Sequence, residues 1–183
     1  MSDTAAVMKK KEPGPVQLVV TLFAISAICA VLLALVNNIT RGPIAEANEA
    51  ATQEAMQAVL PADSYTQVDY TGGNTLVTAV YQAGDAGYVV QVAPSGFGGV
   101  LDVMVGVNTD GTCSGVSIIS HSETSGLGAN ATKEDFRSQF EGKSNVAVTK
   151  DGGDIAALTG ATITSRAVCD GVNAAIAAAA SVG

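Results

Sequence analysis

Residues 101–119 read LDVMVGVNTDGTCSGVSII, and this stretch decides the fold class. Two β-rich runs, at residues 101–107 and 115–119, lie on either side of the turn signal Asn108-Thr109-Asp110-Gly111. Because Asn, Asp and Gly are favoured in tight turns, this pattern predicts a β-hairpin. The chain is therefore expected to contain an antiparallel sheet.

The sequence before this hairpin adds further strands to the predicted sheet. Three β-rich runs lie at residues 65–70, 76–82 and 88–93. Turn signals rich in Gly, Asn, Asp and Pro separate these runs from one another and from the hairpin. Residues 65–119 are thus predicted to be β structure throughout.

The sequence after the hairpin predicts helices. Thr132 and Asp135 have the spacing of a capping box, and Gly142 would end the helix that they begin. Residues 146–148 form a candidate short strand, and a final helix is predicted over residues 165–180 from its apolar stripe. The predicted fold class is α+β, with helices packed on an antiparallel sheet.

An uncharged apolar run at residues 16–36 is long enough to cross a membrane. As a helix it spans about 30 Å, the thickness of the hydrocarbon core of a bilayer. Lys9, Lys10 and Lys11 precede it. The positive-inside tendency therefore places residues 1–15 in the cytoplasm and the body of the protein on the outer side of the cell (inner) membrane, behind a single-pass transmembrane helix.

Two alternatives to a retained anchor are a cleaved signal peptide and a lipoprotein signal. A signal peptide normally has a shorter apolar region and a small-residue cleavage site, and Leu35-Val36-Asn37-Asn38 is not such a site. A lipoprotein signal would use Cys29, but the bulky Ile28 precedes it and the apolar run continues past it.

Residues 37–62 are predicted to form an amphipathic helix that connects the membrane span to the outer domain, residues 63–183. Pro43 can occupy the first turn of such a helix, and Pro61 cannot continue it. Apolar residues recur between the two prolines at helical spacing. A spacer or packing role is the simplest interpretation of this helix.

Composition excludes several classes of function. Residues 37–183 carry six basic and fifteen acidic groups, a net charge of −9, so this part of the chain lacks the clustered Lys and Arg that nucleic-acid phosphates require. The chain has three cysteines, in no Cys-x-x-Cys spacing, and one histidine, so a zinc or iron–sulfur site is not predicted. Whether Cys113 and Cys169 form a disulfide is left open by the sequence.

Three stretches carry residues that core packing and turns do not explain. They are residues 95–99 (SGFGG), 121–128 (HSETSGLG) and 158–165 (LTGATITS). The last is rich in hydroxyl groups and leads directly into the predicted final helix, whose first-turn N–H groups favour an anion. A phosphate near Thr164 would meet those donors and the Arg166 side chain, although simple helix capping by Thr164 or Ser165 is commoner.

The other two stretches also have simpler explanations. Gly126 and Gly128 would let the backbone approach a flat ligand closely, or they would belong to a flexible surface loop. His121 is more often a hydrogen-bonded scaffold residue than a proton carrier. Phe97 would be either a lid over a ligand or a core aromatic.

Taken together, the three stretches resemble those of the FMN-binding domain family. Residues 159–164 resemble the motif in which FMN is esterified through its phosphate to the last threonine, here Thr164. Residues 123–128 are similar to the family's Glu-Thr-Pro-Gly-Leu-Gly element beside the flavin ring, with Ser125 in place of proline. Residues 96–99 are similar to a Gly-Tyr-Gly-Gly element, with Phe97 in place of tyrosine.

The resemblance implies a set of cofactor-binding residues. Thr164 would carry the covalent FMN, and the other implied FMN contacts are Glu123, Thr124, Gly126, Leu127, Gly128, Leu158, Thr159, Gly160, Ala161, Thr162 and Ser165. Further candidate contacts are Gly96, Phe97, Gly98, Gly99, His121 and Arg166. Glu123, Thr124 and the backbone of residues 126–128 would tune the ring, and Thr164 would have to be accessible when a Mg²⁺-dependent flavin transferase attaches FMN from FAD.

The compact size and single anchor resemble the G subunits of Rnf complexes, which couple ferredoxin oxidation and NAD reduction to Na⁺ or H⁺ transport. This implies an electron carrier rather than an independent catalyst, working with flavin- and iron–sulfur-bearing membrane subunits. The C subunit of the Na⁺-translocating NADH:quinone reductase and other membrane-tethered FMN proteins are alternatives. A tethered structural or sensory domain is the non-redox alternative.

Overall fold

The structure, a computed structural model, describes residues 14–183. The lysines at positions 9–11, on which the predicted orientation rests, lie outside the described residues. The chain divides into two compact units, Met1–Ala47 and Asn48–Gly183. Helix α1, Pro15–Val59, begins in the first unit and ends in the second.

The described part of the first unit is helical and exposes its apolar side chains. Almost every residue from 14 to 47 is exposed, including large hydrophobic side chains along the predicted span. By its length and composition α1 can cross a membrane. Exposed apolar side chains over such a length suit a lipid environment.

The expectation of a separate helix that begins at Pro43 is wrong, because α1 continues through this residue. Pro43 removes one backbone N–H from the helical ladder, a loss that usually ends or bends a helix. The residues after it are mainly Ala, Glu, Gln and Met, which favour helix strongly. The strong helix formers after the proline thus extend the helix that begins in the apolar span, and the two parts form one element of 45 residues.

The predicted antiparallel sheet is confirmed. Its five strands follow one another in chain order across the sheet, and each neighbouring pair is antiparallel. Their bounds lie within two residues of the predicted ones: β1 Thr66–Val68, β2 Val77–Ala83, β3 Gly87–Val92, β4 Asp102–Asn108 and β5 Cys113–Ser120. The predicted hairpin at residues 101–119 is the β4–β5 pair.

Both faces of the sheet are covered. On one face, α3 (Thr162–Val182) packs through Val168, Val172 and Ala175 against strand residues such as Val90 and Val103, and forms the main core. On the other face, the C-terminal turns of α1 bury a smaller apolar set, Ala55, Met56 and Val59, with Val89 and Met104. The sheet therefore lies between two helical elements within the second unit.

The helix predicted from Thr132 to Gly142 is broken into short pieces. A 3-10 helix at Gly128–Thr132 is followed by α2, Glu134–Arg137, and a 3-10 helix at Ser138–Phe140. The Thr132 hydroxyl does not cap α2, because it donates to the carbonyl of Ala129 in the preceding turn at 2.9 Å. A spacing of four residues brings Phe136 and Phe140 edge to face at 5.3 Å between ring centroids, and one helical turn is enough for that.

Two other predicted elements also differ from the structure. Residues 146–148 form no strand, and only an isolated parallel bridge joins Val148 to Ile155. Helix α3 begins three residues before its predicted start, because Thr162, Ile163 and Thr164 adopt helical backbone. Cys113 and Cys169 are separate free thiols, and burial raises the pKa of each to about 12.

Candidate functional site

The three unexplained stretches of the sequence converge on one cavity of about 400 Å³. This size falls within the range of small-molecule sites. Each stretch contributes to the lining, and Lys150, from the 3-10 helix Thr149–Asp151, completes it. The lining residues are Phe97, Glu123, Thr124, Leu127, Gly128, Lys150, Gly160, Ala161, Thr162, Ile163 and Thr164.

The innermost contact of this cavity joins Thr164 to Glu123. Thr164 is fully buried on the first turn of α3, and its hydroxyl donates a hydrogen bond of 2.7 Å to Glu123 Oε2. The other carboxylate oxygen of Glu123, Oε1, accepts the backbone N–H of Gly98 at 2.9 Å. One buried carboxylate therefore ties residues 95–99, residues 121–128 and helix α3 together.

The expectation that Thr164 is accessible when FMN is attached concerns the encounter with a transferase, whereas in the chain alone this side chain is buried. The residue has no solvent exposure, yet it lines the cavity, so a ligand group reaches its hydroxyl only from inside that cavity. Thr164 does not cap the helix, which is the usual role of a threonine near a helix start. The N-cap position of α3 is Ala161, and no side chain caps this helix among the described residues.

Close packing around Glu123 explains three of the glycines. A Cβ at Gly96 would collide with Glu123 Oε1, and a Cβ at Gly98 with the carbonyl of Ser122. A Cβ at Gly128 would collide with Glu123 Oε2 and lie 2.8 Å from Thr164 Oγ1. These glycines are needed because the carboxylate and the loop backbone approach one another closely.

Positively polarised groups lie at the α3 end of the cavity. The first-turn N–H groups of α3 have no side-chain acceptor among residues 14–183, and the helix dipole makes this end attractive to an anion. The Lys150 ammonium also lines the cavity and donates to Thr162 Oγ1 at 3.3 Å. An anionic group such as a phosphate would be stabilised between these donors.

Arg166 does not take the place expected for it beside a phosphate. Its guanidinium is bound to the carboxylate of Asp151 through two hydrogen bonds of 2.6 Å, outside the cavity lining. The Arg166 side chain hydrogen-bonds Asp151 and so holds the pKa of that carboxyl below its ordinary value. Lys150, on the 3-10 helix Thr149–Asp151, is the cation that the structure places in the cavity.

Several residues expected at the site lie outside the cavity lining and form hydrogen bonds that hold the lining segments in place. The His121 ring accepts the backbone N–H of Glu123 at its Nδ1, at 3.2 Å, and so shapes the loop. The Ser165 hydroxyl donates to the carbonyl of Ala161 at 2.9 Å and accepts the N–H of Leu158 at 3.0 Å. Outside the cavity lining lie His121, Gly96, Gly98, Gly99, Gly126, Leu158, Thr159, Ser165 and Arg166.

An apolar rim surrounds the opening of the cavity. Phe97, Leu127 and Ile163 line it and are all exposed large hydrophobic residues. Phe97 is therefore a rim residue and not a core aromatic. A flat aromatic ligand would cover these side chains while an attached phosphate reached the polar end near Thr164, a division that suits FMN.

Sequence reasoning missed two lining residues, Lys150 and Ile163. Ile163 stands inside the recognised motif but reads as an ordinary apolar residue. Lys150 lies 14 positions before Thr164 in a stretch without any motif, and only the fold brings it to the cavity. One signal in the sequence could have identified Lys150: it is one of few cations among the mainly acidic charged residues of positions 37–183.

The fold and cavity belong to an FMN-binding domain, because residues 96–177, which contain every residue of the cavity lining, match the model of that domain. The chain is 39% identical to the G subunit of the proton-translocating ferredoxin:NAD(+) oxidoreductase complex of Clostridium ljungdahlii, over 81% of this chain and 83% of that protein. It is 37% identical to the Na(+)-translocating counterpart from Acetobacterium woodii, over 85% and 86%.

A third relative extends the similarity to nearly the full length. The G subunit of the ion-translocating oxidoreductase complex of Methanosarcina acetivorans is 34% identical over 96% of both chains. The chain therefore belongs to the family formed by the G subunits of ion-translocating oxidoreductase complexes.

Proposed function

We propose that this chain carries FMN covalently, through a phosphodiester between the FMN phosphate and Thr164 Oγ1, as an electron-carrying subunit of an ion-translocating ferredoxin:NAD⁺ oxidoreductase complex. The observation that carries this proposal is the buried hydroxyl at the polar end of the cavity, directed at a buried carboxylate. Two relatives that are named as G subunits of ferredoxin:NAD(+) oxidoreductase complexes support the assignment to this complex.

Residues of the cavity would divide the cofactor between them. Lys150, the Thr162 hydroxyl and the first-turn N–H groups of α3 would neutralise the phosphate charge. Phe97, Leu127 and Ile163 would cover the faces of the ring and exclude water from it. FMN, when bound, supplies electron transfer, and the bond to Thr164 prevents its loss into the outer medium.

Tuning of the flavin potential would fall to groups near the ring, since the phosphodiester does not touch it. Thr124 and the backbone of residues 127–128, which line the cavity, are the polar groups proposed for this role. Glu123 hydrogen-bonds the attachment oxygen of Thr164, so it would act at the phosphate end of the cofactor.

Helix α1 would anchor the protein, with residues 1–15 in the cytoplasm and the FMN domain on the extracytoplasmic side. Nicotinamide and ferredoxin chemistry would belong to partner subunits. The sequence holds no Gly-x-Gly-x-x-Gly loop between a strand and a helix, and no cluster of metal-binding side chains occurs in residues 14–183. A Mg²⁺-dependent flavin transferase would attach FMN from FAD.

Intact-mass spectrometry of the full chain, expressed with and without a flavin transferase, tests this proposal. We expect a mass increase of one FMN less one water, only with the transferase, and a fluorescent band that survives a denaturing gel. A colourless chain of unmodified mass would overturn it. Protease applied to spheroplasts, in which only the inner membrane encloses the cytoplasm, should remove the FMN domain, and full protection would reverse the proposed orientation.

A further inference from the structure

The Thr164 hydroxyl has an arrangement that capping and core packing do not require. A threonine hydroxyl is a weak nucleophile until a neighbouring base accepts its proton. Glu123 Oε2 lies 2.7 Å from Thr164 Oγ1, within the distance over which a general base acts, and both residues are buried. We propose that Glu123 is the general base for the esterification of its own chain at Thr164, an inference that rests on the proposed covalent FMN.

The surroundings hold the Glu123 carboxylate in place for this step. Its Oε1 is fixed by the N–H of Gly98, which leaves Oε2 directed at Thr164. The missing side chains of Gly96 and Gly128 make the space that the two carboxylate oxygens occupy. A base held in one orientation needs no rearrangement when the proton moves.

The group transfer balances with a flavin dinucleotide as the only co-reactant. Thr164 Oγ1 forms a bond to the flavin-side phosphorus, and the bond from that phosphorus to the oxygen bridging the two phosphates breaks. The bridging oxygen leaves with its electron pair on the nucleoside monophosphate. The hydroxyl proton passes to Glu123 Oε2, and nothing is oxidised or reduced. Lys150 is placed to offset the charge on the phosphoryl oxygens.

The contact also survives the reaction with its roles reversed. An esterified Thr164 oxygen has no hydrogen to donate, so an ionised Glu123 would face it without a bond. A Glu123 side chain that has taken up the proton donates a hydrogen bond to the ester oxygen or to the adjoining phosphate. The same pair of oxygens thus remains satisfied before and after attachment.

The test measures the rate of covalent attachment on the full-length chain with FAD, Mg²⁺ and a flavin transferase, followed by intact mass. Glu123→Gln keeps the size and a hydrogen-bond acceptor but cannot take up the proton. We expect attachment to be slower by about 100-fold or more, the usual contribution of a general base. Glu141→Gln, an exposed carboxylate away from the cavity, is the matched control and should react as the unaltered chain does.

A pH series distinguishes a Glu123 side chain that accepts the proton from one that only positions the Thr164 hydroxyl. The ratio of the unaltered rate to the Glu123→Gln rate should change with pH, because a general base accepts a proton only when it does not already carry one. His121, on the same loop, and Lys150, in the cavity, are the other titratable groups around Glu123, and they are common to both chains, so their effects divide out. A ratio that stays large and flat at every pH would overturn the assignment in favour of placement alone.

A thermal melt of each variant shows whether that variant is folded. If Glu123→Gln does not fold, Glu123→Asp replaces it, since its carboxylate is withdrawn from Thr164 by one methylene. Attachment by either folded variant at the unaltered rate would overturn the proposal. Failure of the unaltered chain itself to gain FMN would instead reject covalent attachment, so the two proposals fail separately.

Discussion

Thr164 and Arg166 stand two residues apart at the start of α3, and they have opposite surroundings. Thr164 is fully buried and bound to a buried carboxylate, whereas Arg166 is exposed and bound to the exposed Asp151. Two positions along a helix differ by about 200° in direction, so neighbours of this kind face opposite sides. Local sequence put both residues beside a phosphate, whereas in the structure Thr164 lines the cavity and Arg166 does not.

The comparison shows that the two polar contacts differ in how much free energy is lost when they are disrupted. A buried hydroxyl–carboxylate pair is costly to disrupt, because each group loses its partner in a water-poor site. An exposed ion pair exchanges its partner for water at little cost. The buried contact should therefore control cofactor attachment, and the exposed one should affect only the stability of the helix start.

The largest effect is expected when the buried partner is removed. Thr164→Val keeps the shape of the side chain but has no hydroxyl to esterify, so covalent flavin should be absent in a fluorescent denaturing gel. It also leaves Glu123 Oε2 without its donor, which should lower the free energy of unfolding by about 1–3 kcal/mol. Thr162→Val is the matched control. A fluorescent band from Thr164→Val would reject this site of attachment.

A smaller but clear effect is expected when the buried contact is crowded. Gly128→Ala places a methyl group against Glu123 Oε2 and Thr164 Oγ1. Displacement of these atoms should cost about 1–3 kcal/mol of stability and slow attachment about tenfold or more. Gly111→Ala, in a left-handed turn with open space around it, should lose stability without slower attachment. Equal attachment rates for the two variants would show that the packing around Glu123 is not critical.

The charge at the polar end of the cavity should have a moderate effect. Lys150→Gln removes the cation beside Thr162, so reversible binding of FMN should weaken about fivefold, the effect of one exposed ionic contact. Titration of flavin fluorescence at two salt concentrations measures this, and the difference should shrink at high salt. Lys143→Gln, which loses a pair with Asp154 away from the cavity, should bind FMN as before.

The smallest effect is expected at the exposed pair. Arg166→Gln should leave attachment unchanged and lower the melting temperature only slightly at neutral pH. Because the Arg166 hydrogen bonds hold the pKa of Asp151 below its ordinary value, the pair stabilises the fold above the pKa that Asp151 has in the unfolded chain. The melting difference should therefore vanish as the pH falls through the lowered pKa. Lost attachment in this variant would mean that Arg166 does reach the phosphate.

The strands and the final helix could be predicted because their signals are local. Alternating β-branched residues bounded by turn residues identify β2 to β5, and an apolar stripe identifies α3. The predicted helix at residues 132–142 failed because the hydroxyl of Thr132 has an equally local alternative, the carbonyl of Ala129. Helix start signals of this kind are too weak to outweigh such competition.

The sequence by itself determined the apolar span, the antiparallel sheet, and the three segments whose residues resemble an FMN-binding site. These depend on the periodicity and order of residues along the chain. Only the tertiary structure decided that Glu123 meets Thr164, that Lys150 enters the cavity and that Arg166 does not. Such contacts join residues 12 to 41 positions apart or depend on which way a helix faces, and local sequence determines neither property.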